Sequence, residues 1–301
     1  MHAQAIPQST SPQSAAAIKS NQGLNTENSR KLLANIEIPP QPTIVQALMR
    51  ERVSESPDID LIVKLIMQDA ALSAAVLKTI NSPYYGLRNK IGSISQSVSI
   101  LGLKNIGTLV MGLVLRKTVK VEGVEQFWED ARRNAQLAAL LARRLLISTD
   151  PEQIQMYGLF HDAAVPVLMQ HIPSYRQTFE SIAVTPWTDI TAMETSRHKI
   201  NHSIVGGALA NDWGLPDNIV TAIKLHHEGD IFDNADFSPD VLNLIALGHI
   251  AEGVDATIAR EQNDNEWETF GELCLNHLGM DTVDLGEFTD AAKDLLGTPA
   301  Y

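Results

Sequence analysis

Almost every apolar run in this chain recurs at helical spacing, and the breaks between runs carry helix-start and helix-stop residues rather than hairpin turns. Ser56-Pro57-Asp58 reads as an N-cap, an N1 proline and an early acid, followed by Ile59, Ile62, Val63 and Ile66 on one face. Asp69 reads as the cap of a helix carrying Leu72, Val76 and Leu77, which stops at Asn81-Ser82-Pro83 because the residue before a proline is pushed out of the α region. A helix over 95–101, a break at Gly102 and an apolar helix over 103–115 follow. Phe127, Ala131, Ala135, Ala138, Leu141, Ala142 and Leu145 form a long stripe of mostly small residues, suited to close packing. Asp150-Pro151-Glu152-Gln153 starts the next helix, which is expected to carry Tyr157, Phe160, His161 and Asp162 into its middle. Gly214 is expected to end one helix and Pro216 to begin another that finishes at His226-His227-Glu228. A helix from about Pro239 carries His249, and the acidic tail adds one or two more, anchored by Phe270, Leu273, Leu278 and Leu295. No stretch alternates with period two, so the expected fold class is all-α.

Charge and composition narrow the function. The 301 residues carry 23 Lys and Arg against 36 Asp and Glu, a net charge of −13, which argues against nucleic acid or an anionic membrane as the main partner. The longest uninterrupted apolar stretch, 109–115, falls far short of the roughly 20 residues a membrane span needs, so no transmembrane helix is expected. The first residues have neither a basic start nor an apolar run, and Cys274 has no second cysteine to pair with; both features point to the cytoplasm. Residues 1–28, rich in Ser, Gln, Asn and Ala, read as a flexible arm. Residues 29–120 read as a first helical part, 121–262 as a second, and 263–301 as an acidic extension with helical character.

The nine histidines are unevenly distributed. His161, His198, His202, His226, His227 and His249 all fall in the second half, with Asp130 and Asp162 near them in the helical layout. Imidazole and carboxylate donors together suit Fe, Mn, Ni or Zn, and helix bundles build such sites between facing helices. A metal there would polarise a phosphoryl oxygen and generate a hydroxide for phosphate-ester hydrolysis. The same residues also fit plainer roles: His161-Asp162 as a buried hydrogen-bonded pair, His226-His227 closing a helix at the negative end of its dipole. Phosphate loops, nucleophile elbows and Cys-x-x-Cys pairs are absent from the sequence, and Cys274, between Leu273 and Leu275, reads as a packing residue.

These residues resemble the HD-related output domain (HDOD) family, bacterial signalling modules derived from the HD phosphohydrolases. The resemblance runs through Ile38-Pro39-Pro40-Gln41-Pro42, the stretch Leu65 to Leu72, Asn81-Ser82-Pro83-Tyr84-Tyr85-Gly86, Leu101-Gly102, Phe127-Trp128, Gly158-Leu159-Phe160-His161-Asp162, Glu194, His202 to Leu209, Trp213-Gly214-Leu215-Pro216 and His226-His227, covering roughly 32–250. It implies an HD-domain-like helical bundle packed against an N-terminal helical bundle, with Asn81 and Tyr84 packed between the two. It also implies a metal set of His161, Asp162, His202 and His226 or His227. Asp130 stands where catalytic HD relatives have an early histidine, and His249 where they have a late aspartate. Ala163-Ala164 replaces the Ile-Gly that often follows the pair. Because both outer ligands depart, the function implied is a non-enzymatic regulatory module that binds a protein partner. A divalent-metal phosphohydrolase acting on a nucleotide or cyclic dinucleotide, and a nucleotide sensor without turnover, stand as alternatives. No receiver or diguanylate cyclase pattern occupies the rest of the chain.

Overall fold

The computed structural model describes residues 33–34, 36–182, 185, 189–260 and 270–297, and among them the regular structure is helical with no strand. The arm expected over 1–28 lies outside the described residues. A first layer comprises α1 (Thr43–Arg52), α2 (Ile59–Met67), α3 (Ala70–Ile80), a 3-10 turn at Pro83–Tyr85 and α4 (Ile94–Thr118). The second comprises α5 (Glu125–Arg144), α6 (Pro151–Phe160), α7 (Ala164–His171), α8 (Tyr175–Ile182), α9 (Ile190–His198), α10 (His202–Asp212), α11 (Asp217–Leu225) and α12 (Pro239–Arg260). The acidic extension supplies α13 (Glu272–Leu278) and α14 (Thr282–Gly297).

Local chemistry sets most of these boundaries. Asp69 Oδ1 accepts from the Leu72 amide at 3.0 Å and starts α3 as expected. For α2 the cap is Asp58, accepting from Leu61 N at 2.9 Å, so Ser56 and Pro57 stand outside the helix. Gly102, at φ 74°, kinks α4 where the break was expected, a conformation that costs an L side chain strain but suits glycine. Gly214, at φ 73°, closes α10, and Leu215 N returns to Ala210 O at 2.9 Å.

The two layers are joined by a few polar contacts set in apolar packing. Trp213, fully buried, donates from Nε1 to Pro39 O at 2.9 Å, while its own carbonyl accepts from Gln41 Nε2 at 2.6 Å. Arg52 on α1 pairs with buried Glu152 on α6 at 3.1 Å, and Lys104 on α4 with Asp150 at 2.9 Å. Gln155 on α6 donates to Tyr84 Oη at 3.3 Å, so Tyr84 does reach across the two layers. The hydrogen bonds of Asn81 are local: its amide spans Leu77 O at 2.8 Å, Ile91 O at 2.9 Å and Ile91 N at 2.7 Å, bracing its own loop. We expect Tyr84→Ala to lower unfolding free energy by about 1–2 kcal/mol, from the lost hydrogen bond and ring contact. An unchanged urea midpoint would remove this loop from the interface.

Two helices, Ile94–Thr118 and Pro239–Ile258, are long and apolar enough to cross a bilayer by length and composition, which uninterrupted runs alone did not show. Both are core helices here. Ile106, Val110, Met111 and Leu115 of α4 are buried within the protein, and α12 buries Leu244, Ile245 and Leu247 against its neighbours. Burial covers 61% of the apolar window of α12 and 44% of that of α4.

Candidate metal centre

Three close helix approaches bring the site together. Gly158 of α6 faces Ala135 of α5 so tightly that a Cβ would lie 2.6 Å from the Ala135 Cα. Gly248 of α12 rides on the Tyr157 ring, where a Cβ would come within 2.5 Å. Gly206 of α10 packs on Ile223 and on the His161 carbonyl, with Ala164 Cβ near it. His202, one turn before Gly206, is thereby set against the His161-Asp162 pair, and Glu252, one turn beyond Gly248, against His161.

His161 and Asp162 do not lie in mid-helix as the sequence suggested. α6 ends at Phe160, His161 is its C-cap, and residues 161–163 form a turn into α7. Pro166 explains the break: a continuous helix would need its missing N–H to bond Asp162 O, which instead accepts from Val165 N at 2.8 Å. The turn lets Asp162 point away from the axis of α6.

Two histidines use helix ends to fix their rings. His226, the C-cap of α11, bonds Ile223 O through Nδ1 at 2.7 Å. His161 holds Gly158 O at 3.2 Å and Tyr157 O at 3.3 Å the same way. Both satisfy terminal carbonyls that a helix otherwise leaves open, and both leave Nε2 directed outward. His202 Nδ1 is held by Glu194 at 2.8 Å, again leaving Nε2 outward.

The outward atoms converge. His202 Nε2 lies 3.2 Å from His226 Nε2 and 3.0 Å from His227 Nε2. Asp162 Oδ1 lies 3.4 Å from the Nε2 atoms of both His202 and His226. That oxygen is buried and makes no hydrogen bond, a costly state for a carboxylate unless a cation takes it. Ligands about 2.1 Å from an ion stand roughly 3.0–3.4 Å apart in octahedral or tetrahedral geometry, so the donor spacing fits the first shell of a transition metal. A second group adjoins it: His161 Nε2 is 2.6 Å from Glu252 Oε1 and 3.5 Å from Asp162 Oδ2.

Electrostatics match this arrangement. Burial disfavours the Asp162 charge, yet the imidazoles of His161, His226 and His202 hold its carboxyl well below the usual range. Burial likewise opposes protonation of His161, but Asp162 and Glu252 overcome it and raise the ring well above an ordinary histidine. His202 is raised, against its burial, by Glu194 and Asp162. Burial and neighbouring imidazoles push His227 well down, and burial lowers His226 despite Asp162. Burial would raise Glu252, but His161 and His249 bring it down to about 2.

Of the residues expected to ligate, the structure brings together His161, Asp162, His202, His226 and His227. His249 stands at the edge, its Nε2 2.9 Å from His226 O and its Nδ1 3.3 Å from Glu252 Oε2. Asp130 is in neither group: it pairs with Arg133, which also forks onto Asp255 of α12 at 2.7 and 2.9 Å. The guanidinium one turn along the same helix takes the charge of Asp130. Glu252 and Glu194 were not identified as site residues from sequence. Glu252 had one usable signal, its position three residues after His249 on the same helix.

An all-α bundle with clustered histidines around a His-Asp turn is the architecture of HD-like proteins. The HDOD domain family model matches residues 38–229, and the chain belongs to that family. It is 29% identical over 208 residues to an uncharacterized protein of Treponema pallidum (strain Nichols), spanning 65% of this chain and only 40% of that protein's length. Among solved structures, a protein of Shewanella amazonensis SB2B provisionally named a phosphohydrolase superposes with TM-score 0.67 at 22% identity, covering 94% of this chain and 95% of the other. An HDOD domain protein of unknown function from Geobacter sulfurreducens gives 0.63 at 20% identity, covering 92% and 99%. At these identities the structural likeness speaks for the fold.

Proposed function

We propose that this chain is a cytoplasmic signal-transduction module that acts by binding a protein partner, and that its histidine cluster takes a divalent metal, Fe, Mn, Ni or Zn, as a structural tie. The observation that carries this reading is the convergence of donors from separate elements on one buried cluster. Its rings are buried, and its more exposed groups are the carboxylates of Asp162 and Glu252, at 33% and 30% side-chain exposure. Arg133, facing α12, is already held by Asp255 and Asp130. A metal held by Asp162, His202, His226 and His227 joins the α6–α7 turn, α10 and the end of α11, which is the work of a structural tie. For the partner, α2 offers Ile59 and Met67, 37% and 63% exposed, on the face that also carries half-buried Val63. Cys274, buried and with its thiol pushed up by burial, is a packing residue that needs no oxidising compartment.

The second reading, a metal-dependent phosphohydrolase, is favoured by the unpartnered Asp162 Oδ1 among three imidazoles. A metal there supplies Lewis acidity and an activated water. One experiment separates the two: measure metal content, then assay mononucleotides and cyclic dinucleotides with Mn2+ or Fe2+ added, alongside partner capture by the wild type and by Met67→Glu. We expect bound metal, no turnover, and a captured protein lost in Met67→Glu. Turnover abolished by Asp162→Ala in a folded protein would establish the hydrolase instead, and saturable nucleotide binding without product would mark a sensor.

A further inference from the structure

Glu194 is fully buried, in the middle of α9, and meets the metal cluster through His202. A buried carboxylate in a protein core is expensive unless its oxygens are fully hydrogen-bonded. Here they are. Oε2 accepts from the His202 backbone N–H at 3.0 Å and from His202 Nδ1 at 2.8 Å, and Oε1 accepts from the Tyr175 hydroxyl of α8. Three donors turned on one carboxylate identify it as an ionised acceptor, so the proton of the neutral His202 ring resides on Nδ1 and the lone pair on Nε2. Nε2 is the atom that sits 3.0 and 3.2 Å from the other two imidazole nitrogens and 3.4 Å from Asp162 Oδ1.

We propose that Glu194 is a positioning residue for the metal centre: through its own bond to Nδ1 it fixes the His202 ring in the orientation and tautomer that present Nε2 to the ion. This rests on the metal-binding reading above and extends it to a residue outside the ligand set. Outer carboxylates of this kind orient a ligating histidine and raise its basicity, and losing one costs about 10–100-fold in metal affinity. Glu194 also ties the centre to α8 and α9, elements that contribute no ligand of their own.

The test is calorimetric titration of the full chain with Zn2+, comparing wild type, Glu194→Gln, Tyr175→Phe and Asp162→Ala. Glu194→Gln keeps the side chain's shape and should weaken Zn2+ binding by about 10–100-fold. Tyr175→Phe disturbs the same packing but leaves the Glu194–His202 bond, and should stay within about threefold of wild type. Equal affinity in Glu194→Gln and wild type, with only the melting temperature lowered, would make Glu194 a structural residue and overturn the proposal while leaving the metal reading intact. So would Tyr175→Phe losing as much affinity as Glu194→Gln. Wild type that binds Zn2+ no better than Asp162→Ala would sink the metal reading and this proposal together. Should Glu194→Gln fail to fold, long-range 1H–15N spectra of the metal-free wild type, at a pH where the His202 ring is neutral, decide alone: a His202 proton on Nδ1 supports the assignment, and a proton on Nε2 overturns it.

Discussion

Trp213→Ala is expected to remove about 3–5 kcal/mol of unfolding free energy, at the upper end of what a single core truncation costs. The side chain is fully buried, lies edge-on to Phe160 with centroids 5.8 Å apart, and donates to Pro39 O across 174 residues of sequence. Truncation leaves a cavity, strands the Pro39 carbonyl, and loosens the extended segment before α1, which Gln41 also fastens to the Trp213 carbonyl. Trp213→Phe fills most of the space and should cost about 1–3 kcal/mol, chiefly the unpaired carbonyl. Guanidinium unfolding of both variants measures the difference. A loss under about 1 kcal/mol for Trp213→Ala would mean that the segment 36–42 does not depend on this anchor.

The fold was legible because helices announce themselves locally. Asp69, Gly102 and Gly214 each do in the structure what their chemistry dictates, without help from distant residues. Where sequence reading failed, the deciding contact was either a cap competing with a neighbour or a partner far along the chain. Asp58 displaces Ser56 as cap of α2 because a carboxylate inside the proline is better placed to accept from Leu61. The His161-Asp162 turn was hidden because α6 and α7 read as one amphipathic run; Pro166 was the overlooked signal. Five of the expected ligands converge because His-Asp and His-His pairs at helix ends can only point where the neighbouring helix lies. Glu252 offered only its spacing from His249, and Glu194, though part of the family resemblance, carried no local sign of its role. Only the approach of α12 over Gly248, and of α9 beside the start of α10, gives them a histidine.

Asp162→Ala should weaken metal binding in a protein that still folds, with a loss of affinity exceeding the roughly 100-fold that an outer residue can cost. Asp162 Oδ1 is the charged member of the four-residue donor group, and without it the remaining three imidazoles bring no negative charge to a dication. The pH dependence follows from the same charges. In the metal-free protein, His161 and His202 are raised by their carboxylate partners, so the stability they add is present below the unfolded histidine value and is lost as pH rises through their folded values. Asp162 is depressed, so its contribution is present above the unfolded aspartate value and is lost as acid titrates it. Metal reverses the histidine part: an ion bound to His202 Nε2 must displace the proton that the imidazolium form holds there, so binding strengthens with rising pH, by about tenfold per unit while that one proton is being released. Thermal unfolding with and without Zn2+ between about pH 6 and 8 should therefore show a metal-induced stabilisation that grows with pH in wild type and is absent in Asp162→Ala. A stabilisation that is flat with pH would mean that His202 is not a ligand, and one that survives Asp162→Ala would place the ion elsewhere in the bundle.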